Sequence, residues 1–153
     1  MDGYIKNLTS DVPVSRSIGK IFDRLVQCGA TNITQTIEDK SITGITFTLE
    51  VKGKTVLFKL PSNSDKVRDI LVNEIKLKKN HPQYENTVRT REEQARKTAW
   101  KILVDWIEAQ LSLITLEQAK PEQVFLPYLY DAKRDITLFQ MIDDNNFNIK
   151  LLE

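Results

Sequence analysis

The longest regular pattern of hydrophobic residues in this chain runs from Thr90 to Leu116. At about 100° per residue, apolar side chains cover most of the circumference of this segment and leave only a narrow polar face. Thr90 and Glu93 have the spacing of a capping box, in which each side chain satisfies a free backbone N–H at a helix start. The pattern predicts a long helix over residues 90–117 that packs on two sides, against elements of its own chain or against a partner subunit.

The segment before it contains a helical pattern followed by a strand pattern. Residues 14–30 carry apolar side chains at three- and four-residue spacing, which predicts a first helix, and Gly29 suits the left-handed position just past its end. From Asn32 the hydrophobic period changes to two, which predicts three antiparallel strands with one solvated face. Lys52-Gly53 is typical of a tight turn between the second and third strands.

The remaining segments have weaker patterns. Asn63 or Ser64 is expected to cap a second helix, and three lysines within residues 76–79 complement the negative end of its dipole. The sequence NHPQYENT, residues 80–87, is typical of a loop. After the long helix, the dense apolar stretch VFLPY indicates packing against that helix or a second subunit, and residues 136–142 are expected to form a short helix.

This order of elements predicts an α+β fold. It consists of an α-β-β-β-α core with a three-stranded antiparallel sheet, then a long amphipathic helix and a short helical C-terminal tail. We expect a single domain with five parts: a flexible lead-in at residues 1–12, the core at 13–79, a loop at 80–89, the long helix at 90–117, and a packing and oligomerisation segment at 118–153.

The composition is typical of a soluble globular protein. Hydrophobic residues make up 41% and charged residues 28% of the 153 positions. The chain has no apolar run near the roughly 20 residues of a membrane span, and its first twelve residues lack the basic start and apolar core of a signal peptide. We therefore expect a cytoplasmic protein with no membrane partner.

The charged residues are segregated along the chain, although the net charge is only +1. Residues 76–101 carry eight basic and three acidic groups, whereas residues 102–153 carry four basic and nine acidic groups. One interpretation is a solvated positive face that the C-terminal third neutralises, within the chain or between subunits. The other is a basic patch that binds a phosphorylated ligand or a nucleic acid.

The residue types that catalytic and metal sites need are scarce. Cys28 is the single cysteine and His81 the single histidine, so no cluster has metal-ligand spacing, and Cys28 is expected to be a small buried residue near a helix end. The five glycines form neither G-x-x-x-x-G-K nor G-x-G-x-x-G, and His81 has no flanking nucleophile motif. The sequence predicts no cofactor, no metal site and no catalytic residue.

Four stretches of the chain resemble a family of small proteins encoded by bacteriophages and prophages. The stretches are VPVSRSIGKIFDRLVQCGATNI, TFTLEVKGKTVLFKLPSN, RTREEQARKTAWKILVDWIEAQLSLI and EQVFLPYLYD, and together they cover most of residues 12–130. The family as a whole has no assigned activity. The resemblance implies a setting, phage biology in the cytoplasm of a bacterial host, and no mechanism.

In that setting we expect a non-enzymatic binding protein that forms a homo-oligomer. It would sequester a small phosphorylated, nucleotide-like ligand or block a host defence protein. Charged side chains at the start of the long helix are expected to hold phosphates, and an aromatic ring there to stack a base. The candidate ligand-binding residues are Tyr84, Arg89, Arg91, Arg96, Lys97 and Trp100. The candidate subunit-interface residues are Trp106, Leu113, Phe125, Leu126 and Tyr128.

Two other classes of function stay open. A nucleic-acid-binding accessory factor in phage replication or recombination would use the basic segment 76–101 and the open face of the sheet, but the near-neutral total charge counts against it. An enzyme that processes a nucleotide would need a convergent acid and base, and the sequence shows none. Core packing is the alternative role for both tryptophans.

Overall fold

The computed structural model describes residues 3–150 and has the predicted α+β class, with a three-stranded antiparallel sheet, a long helix and a short C-terminal helix. The elements are α1 Val14–Gln27, β1 Thr31–Glu38, β2 Ser41–Val51, β3 Lys54–Pro61, α2 Ser64–Asn73, α3 Tyr84–Thr115, α4 Pro121–Val124, a one-turn 3₁₀ helix Leu126–Tyr128, β4 Tyr130–Asp131, β5 Ile136–Thr137 and α5 Leu138–Asp144. None of the helices in residues 3–150 is long and apolar enough to cross a membrane.

The chain forms two compact units. Unit 1 contains the described residues up to Arg24 together with Ser62–Ala109. Unit 2 contains Leu25–Pro61 and the described residues from Gln110 onward. Unit 1 is therefore helical, and the five strands found in residues 3–150 belong to unit 2.

Unit 1 has a small apolar core between α2 and α3. Val67 and Leu71 of α2 are buried with Ala95 and Ala99 of α3, and Leu8 from the N-terminal segment packs against this cluster. The two alanines leave room for the neighbouring chain to approach α3 closely. The four-residue spacing on each helix places both members of each pair on one face.

The N-terminal segment, predicted as a flexible lead-in, is hydrogen-bonded to α3. Gln94 Nε2 donates to the carbonyl oxygens of Leu8 and Ser10, each at 3.0 Å. Thr98, which has no exposed surface, donates from Oγ1 to the carbonyl oxygen of Asn7 at 3.0 Å. These bonds satisfy part-buried carbonyl groups of a segment that has no ladder or helix of its own.

Three donors converge on the Asp105 carboxylate in unit 1. Asn7 Nδ2 lies 2.8 Å from Oδ2, Lys6 Nζ lies 2.9 Å from Oδ2, and Lys101 Nζ lies 2.9 Å from Oδ1. Lys101 is four residues before Asp105, so these two side chains are neighbours on the same face of α3. The cluster ties residues 6 and 7 to the helix.

Unit 2 is built on the sheet, with strand order β1-β2-β3. The Lys52-Gly53 turn is confirmed: Val51 pairs with Lys54, and both turn residues have positive φ, 51° and 78°. Phe47 and Phe58 stack with ring centroids 5.5 Å apart, and Phe125 meets Phe47 edge to face at 5.0 Å. These three aromatic side chains are fully or almost fully buried, so they form the centre of this core.

Helix α3 begins at Tyr84, so the predicted start at Thr90 and the predicted loop up to residue 89 are wrong. Thr90 lies inside the helix and donates from Oγ1 to the carbonyl oxygen of Asn86 at 3.0 Å. Thr87 donates to the carbonyl oxygen of Gln83 at 2.8 Å. A threonine hydroxyl inside a helix can bond back to the carbonyl of the preceding turn, so these two residues are satisfied without a capping role.

The end of α2 also differs from the prediction. The helix ends at Asn73, so the lysines within residues 76–79 lie beyond its last turn. Asn63 occupies the cap position in a left-handed conformation, with φ 56°, and its side chain makes no cap hydrogen bond. The expected side-chain cap is therefore wrong at Asn63.

The C-terminal part contains strands that the pattern did not predict. Tyr130 pairs with Thr137 and Asp131 with Ile136, so β4 and β5 form a two-stranded hairpin. The short helix α5 begins at Leu138, directly after β5, rather than at residue 136. Thr137 caps this helix, because its hydroxyl accepts a hydrogen bond from the N–H of Gln140.

Candidate functional site

A cleft of about 600 Å³ lies within unit 2, between β3 and the β4–β5 hairpin. One wall consists of residues 54–57 at the start of β3. The other consists of residues 129–133, which include β4 and the first residues of the hairpin loop. Ile136, Leu138 and Met141 complete the lining.

The cleft exists because the two walls diverge from a single point of pairing. β3 is an edge strand of the three-stranded sheet, and Phe58 forms an isolated antiparallel bridge with Leu129. In residues 3–150, no strand continues that pairing along residues 54–57, since β4 pairs with β5 instead. Along this wall, Lys54 and Val56 turn their backbone groups toward β2 and the bridge engages Leu57, so Thr55 is the residue whose backbone groups face the cleft.

The lining combines an apolar floor with a basic rim. The apolar side chains are Val56, Leu57, Leu129, Ile136, Leu138 and Met141. Lys54 and Lys133 stand in opposite walls, and each is four residues along the chain from the Phe58–Leu129 bridge. Within the described part of the chain, neither ammonium group has an ion-pair or hydrogen-bond partner.

The one carboxylate in the lining, Asp131, is engaged by its own loop. Its Oδ1 accepts hydrogen bonds from the backbone N–H of Lys133 at 3.0 Å and of Arg134 at 3.3 Å. Its Oδ2 lies 3.6 Å from Arg134 Nε. Because these contacts hold the carboxylate in the turn, the charge that the rim offers a ligand is positive.

A charged network fixes the tyrosine in the wall of the cleft. Lys59 Nζ lies 4.9 Å from the centroid of the Tyr130 ring and 3.4 Å from Asp135 Oδ1, and Tyr130 Oη donates to the same Oδ1 at 2.5 Å. This hydrogen bond to Asp135 is the main reason that the pKa of Tyr130 is raised. The same bond, followed by the charge of Lys59, lowers the pKa of Asp135. Tyr130 is therefore a neutral, positioned side chain at neutral pH.

The single cysteine and the single histidine, Cys28 and His81, are not part of the cleft lining. Cys28 is buried, and that burial raises the pKa of its thiol. His81 is exposed, and its Nδ1 accepts a hydrogen bond from the N–H of Gln83 at 3.0 Å. In residues 3–150, no three His, Cys, Asp or Glu side chains are grouped to hold a metal ion.

The predicted ligand-binding residues occupy different faces of α3. Arg89 and Arg96 are seven residues apart and share a face, whereas Arg91 is roughly 160° around the helix from Arg89. Arg89 also donates from Nη2 to Asn86 Oδ1 at 2.5 Å. Three glutamates lie within the same stretch, at residues 85, 92 and 93. The positive charges of this part of the helix thus lie on different faces, and the neighbouring glutamates offset them.

The two aromatic residues predicted to stack a base differ in accessibility. Tyr84 is the first residue of α3 and is half-buried. Trp100 has no exposed surface, and its Nε1 has no hydrogen-bond partner among the described residues. A ring without accessible surface has no face for a base, so Trp100 has the core role given above as its alternative.

The predicted interface residues also divide by burial. Phe125 has no exposed surface and packs against Phe47 and Phe58 of unit 2. Leu113 is 37% and Leu126 50% exposed. Trp106 and Tyr128 are half-buried.

The sequence interpretation did not predict the cleft or its lining residues. A signal was present in YLYDAKRDITLF, where two short apolar stretches flank the polar turn residues DAKRD. That pattern is typical of a hairpin, whereas the apolar spacing around it predicts packing of VFLPY followed by a helix over residues 136–142. The divergence of the two walls has no counterpart in the sequence pattern, because it depends on where Leu129 joins the sheet.

Comparison of the chain with protein-family models, curated proteins and solved structures found no match.

Proposed function

We propose that this protein is a non-enzymatic binding protein of phage–host biology, which blocks a host protein by holding an acidic segment of it in the cleft. The observation that carries the proposal is the pair of unpartnered ammonium groups, Lys54 and Lys133, above an apolar floor. The phage setting comes from the resemblance of the four stretches described above.

The apolar residues and the two lysines of the lining favour a ligand that has both apolar and acidic groups. Apolar side chains of a partner would gain roughly 25 cal/mol for each Å² of apolar area removed from water on the floor. A carboxylate between Lys54 and Lys133 would meet two positive charges that have no competing partner in residues 3–150. Charge complementarity of this kind selects an acidic partner and speeds its association.

A second candidate is the sequestration of a small phosphorylated, nucleotide-like ligand. The observation that favours it is that Arg89 and Arg96 share one face of α3, two turns apart, where they could hold phosphates. Tyr84 and Lys97 remain predicted contributors to that site, whereas Arg91 lies on another face of α3. The two candidates use different residues, so the same set of variants separates them.

The test is fluorescence anisotropy with a labelled probe peptide, Ser-Val-Val-Thr-Glu-Glu, which joins an apolar part to an acidic end. Its charge control is Ser-Val-Val-Thr-Lys-Lys. We expect the acidic peptide to bind at least tenfold more tightly than the basic one. We also expect Lys54→Glu with Lys133→Glu to weaken its binding at least tenfold, because the variant replaces both attractive charges with repulsive ones.

The matched control is the double variant Arg89→Glu with Arg96→Glu, which makes the same charge change on α3. It should leave binding of the acidic peptide unaltered. Equal binding of the two peptides, or an unaffected cleft variant, would overturn the proposal. Binding of ATP that the α3 variant abolishes and the cleft variant spares would replace it with nucleotide sequestration.

A further inference from the structure

We propose that an acidic aromatic knob on the outer face of α5, formed by Phe139, Asp143 and Phe147, binds in the cleft of a second copy of this chain. This inference rests on the proposed function, since it assigns a partner within the protein itself to the cleft that would hold the host segment. The observations that point to it are two exposed aromatic rings beside an exposed carboxylate, which together match the lining of the cleft.

The two rings of the knob pack against each other and both remain accessible. Phe139 is 51% and Phe147 56% exposed, and their rings meet edge to face with centroids 6.0 Å apart. Aromatic side chains of this size usually lie in cores or interfaces, because their burial removes a large apolar area from water. In residues 3–150 nothing covers this pair, so it offers an apolar surface to a partner.

The backbone after α5 holds Phe147 beside Phe139. Asn146 and Phe147 have positive φ, 53° and 57°, a conformation that is unfavourable for a bulky side chain such as that of Phe147. The turn is fixed by two hydrogen bonds: the N–H of Asn146 donates to the carbonyl of Asp143 at 2.9 Å, and the N–H of Phe147 to the carbonyl of Ile142 at 3.0 Å. A strained turn that keeps an aromatic ring at the surface indicates a role other than core packing.

Asp143 lies on the same face of α5 as Phe139. The two residues are four positions apart, so their side chains are neighbours, and each is roughly 160° around the helix from Met141, which lines the cleft. The knob therefore faces away from the cleft of its own copy. The Asp143 carboxylate is exposed and has no ion-pair or hydrogen-bond partner in the described part of the chain.

The knob and the cleft have complementary chemistry. The apolar floor of the cleft would cover the rings of Phe139 and Phe147, and Lys54 and Lys133 would meet the carboxylate of Asp143. The cleft volume, about 600 Å³, is in the range of pockets that hold drug-sized ligands, and two phenyl groups are no larger than such a ligand. The contact would give a partner to charges that have none within residues 3–150.

This contact joins copies head to tail and regulates the cleft. The knob of one copy binds the cleft of the next, so the interface is heterologous and leaves one free knob and one free cleft at the ends. A cleft that holds a knob has no room for a host segment. Self-association and blocking of the host protein therefore compete, and a sufficiently tight acidic segment displaces the knob.

The experiment uses two full-length variants, each of which retains one half of the contact. The cleft variant, Lys54→Glu with Lys133→Glu, has an unaltered knob. The knob variant, Phe139→Ser with Asp143→Lys, has an unaltered cleft. Fluorescence anisotropy with one labelled partner measures the Kd of the mixed pair and of each variant with itself. We expect the mixed pair to bind at least tenfold more tightly than either variant binds itself, because only the mixture contains both halves.

A control and a rescue accompany these variants. Ile37→Ser with Glu38→Lys makes a similar change at exposed positions of β1 and should leave the self-association of the chain unaltered. Addition of Asp143→Lys to the cleft variant reverses the charges on both sides. It should restore self-association to within tenfold of the unaltered chain. A failure of this rescue would overturn the pairing of Asp143 with the two lysines.

The outcomes separate self-docking from the blocking function. The knob variant should bind the acidic peptide Ser-Val-Val-Thr-Glu-Glu at least as tightly as the unaltered chain, because its cleft is free. If that peptide binds but the mixed pair is no tighter than the self pairs, the inference is overturned and the proposed function stands. If the mixed pair binds and the peptide does not, the cleft serves self-association and the proposed function falls.

Discussion

At the scale of single residues, three hydrogen-bond donors set the electrostatic environment of Asp105. Burial by itself would raise the pKa of this carboxyl, but the hydrogen bonds from Asn7, Lys6 and Lys101 outweigh that effect and hold the pKa well below its usual range. A carboxyl with a lowered pKa in the folded state stabilises the fold above its unfolded pKa, about 3.9, and loses that contribution as the pH falls toward the folded value.

Asp105→Asn should therefore reduce the acid sensitivity of the protein. Between about pH 5 and pH 2, the free energy of unfolding should fall less steeply in the variant than in the unaltered chain, because the variant has no carboxylate to protonate at this position. Urea unfolding at several pH values measures the two slopes. Asp11→Asn, which removes an exposed carboxyl without an ion pair in the described residues, is the control. Identical slopes for Asp105→Asn and the unaltered chain would contradict the assignment.

At the scale of elements, Thr90 and Thr137 show that the same capping-box spacing can lie inside a helix or at its start. Thr90 and Glu93 have capping-box spacing, yet Thr90 lies inside α3 and bonds back to Asn86. Thr137 and Gln140 have the same three-residue spacing, and there both cap hydrogen bonds are present. The difference lies in the preceding residues. Residues 84–89 are already helical, so Thr90 is not at a helix start, whereas Thr137 ends a strand and begins a helix.

Substitution of each threonine by alanine should change stability in opposite directions. Thr90→Ala should raise the free energy of unfolding by up to about 0.5 kcal/mol, because alanine has the higher propensity in a helix interior. Thr137→Ala should lower it by about 1 kcal/mol through loss of the cap. Urea unfolding of both variants measures the two effects. A clear loss of stability in Thr90→Ala would show that Thr90 acts as a helix cap after all.

At the scale of the whole molecule, the chain exposes apolar side chains near the end of α3 and just after α4. Leu113 and Leu126 are predicted interface residues, and both retain large exposed fractions. Burial of such side chains in a partner copy removes apolar area from water, which is the main driving force of subunit association. Self-association stays a prediction, as does the phage–host setting.

The predicted homo-oligomer can be tested by light scattering coupled to size-exclusion chromatography. We expect a mass that is a multiple of the chain mass, and a shift toward the single-chain mass in the variant Leu113→Glu with Leu126→Glu, since a buried unpaired charge opposes association. Ile37→Glu, at an exposed position of β1, is the control. A single-chain mass at every concentration would show that these side chains do not join subunits.

The fold class, the first helix and the meander of three strands follow from the sequence alone, because their signals are local. A hydrophobic period of two, interrupted by Lys52-Gly53, specifies a hairpin within about twenty residues of chain. The buried position of Cys28 and the left-handed conformation of Gly29, with φ 93°, follow from the end of the helical pattern in the same way.

Only the tertiary structure decided where a ligand could enter. The cleft depends on a bridge between Phe58 and Leu129, which are 71 positions apart in the sequence, and on the divergence of the chain beyond it. The two-residue strands β4 and β5 are too short to show a period of two, so only the turn residues between them indicate a hairpin. The sequence determined which residues are charged and apolar; long-range pairing decided that Lys54 and Lys133 line one cleft while Arg89 and Arg91 lie on different faces of a helix.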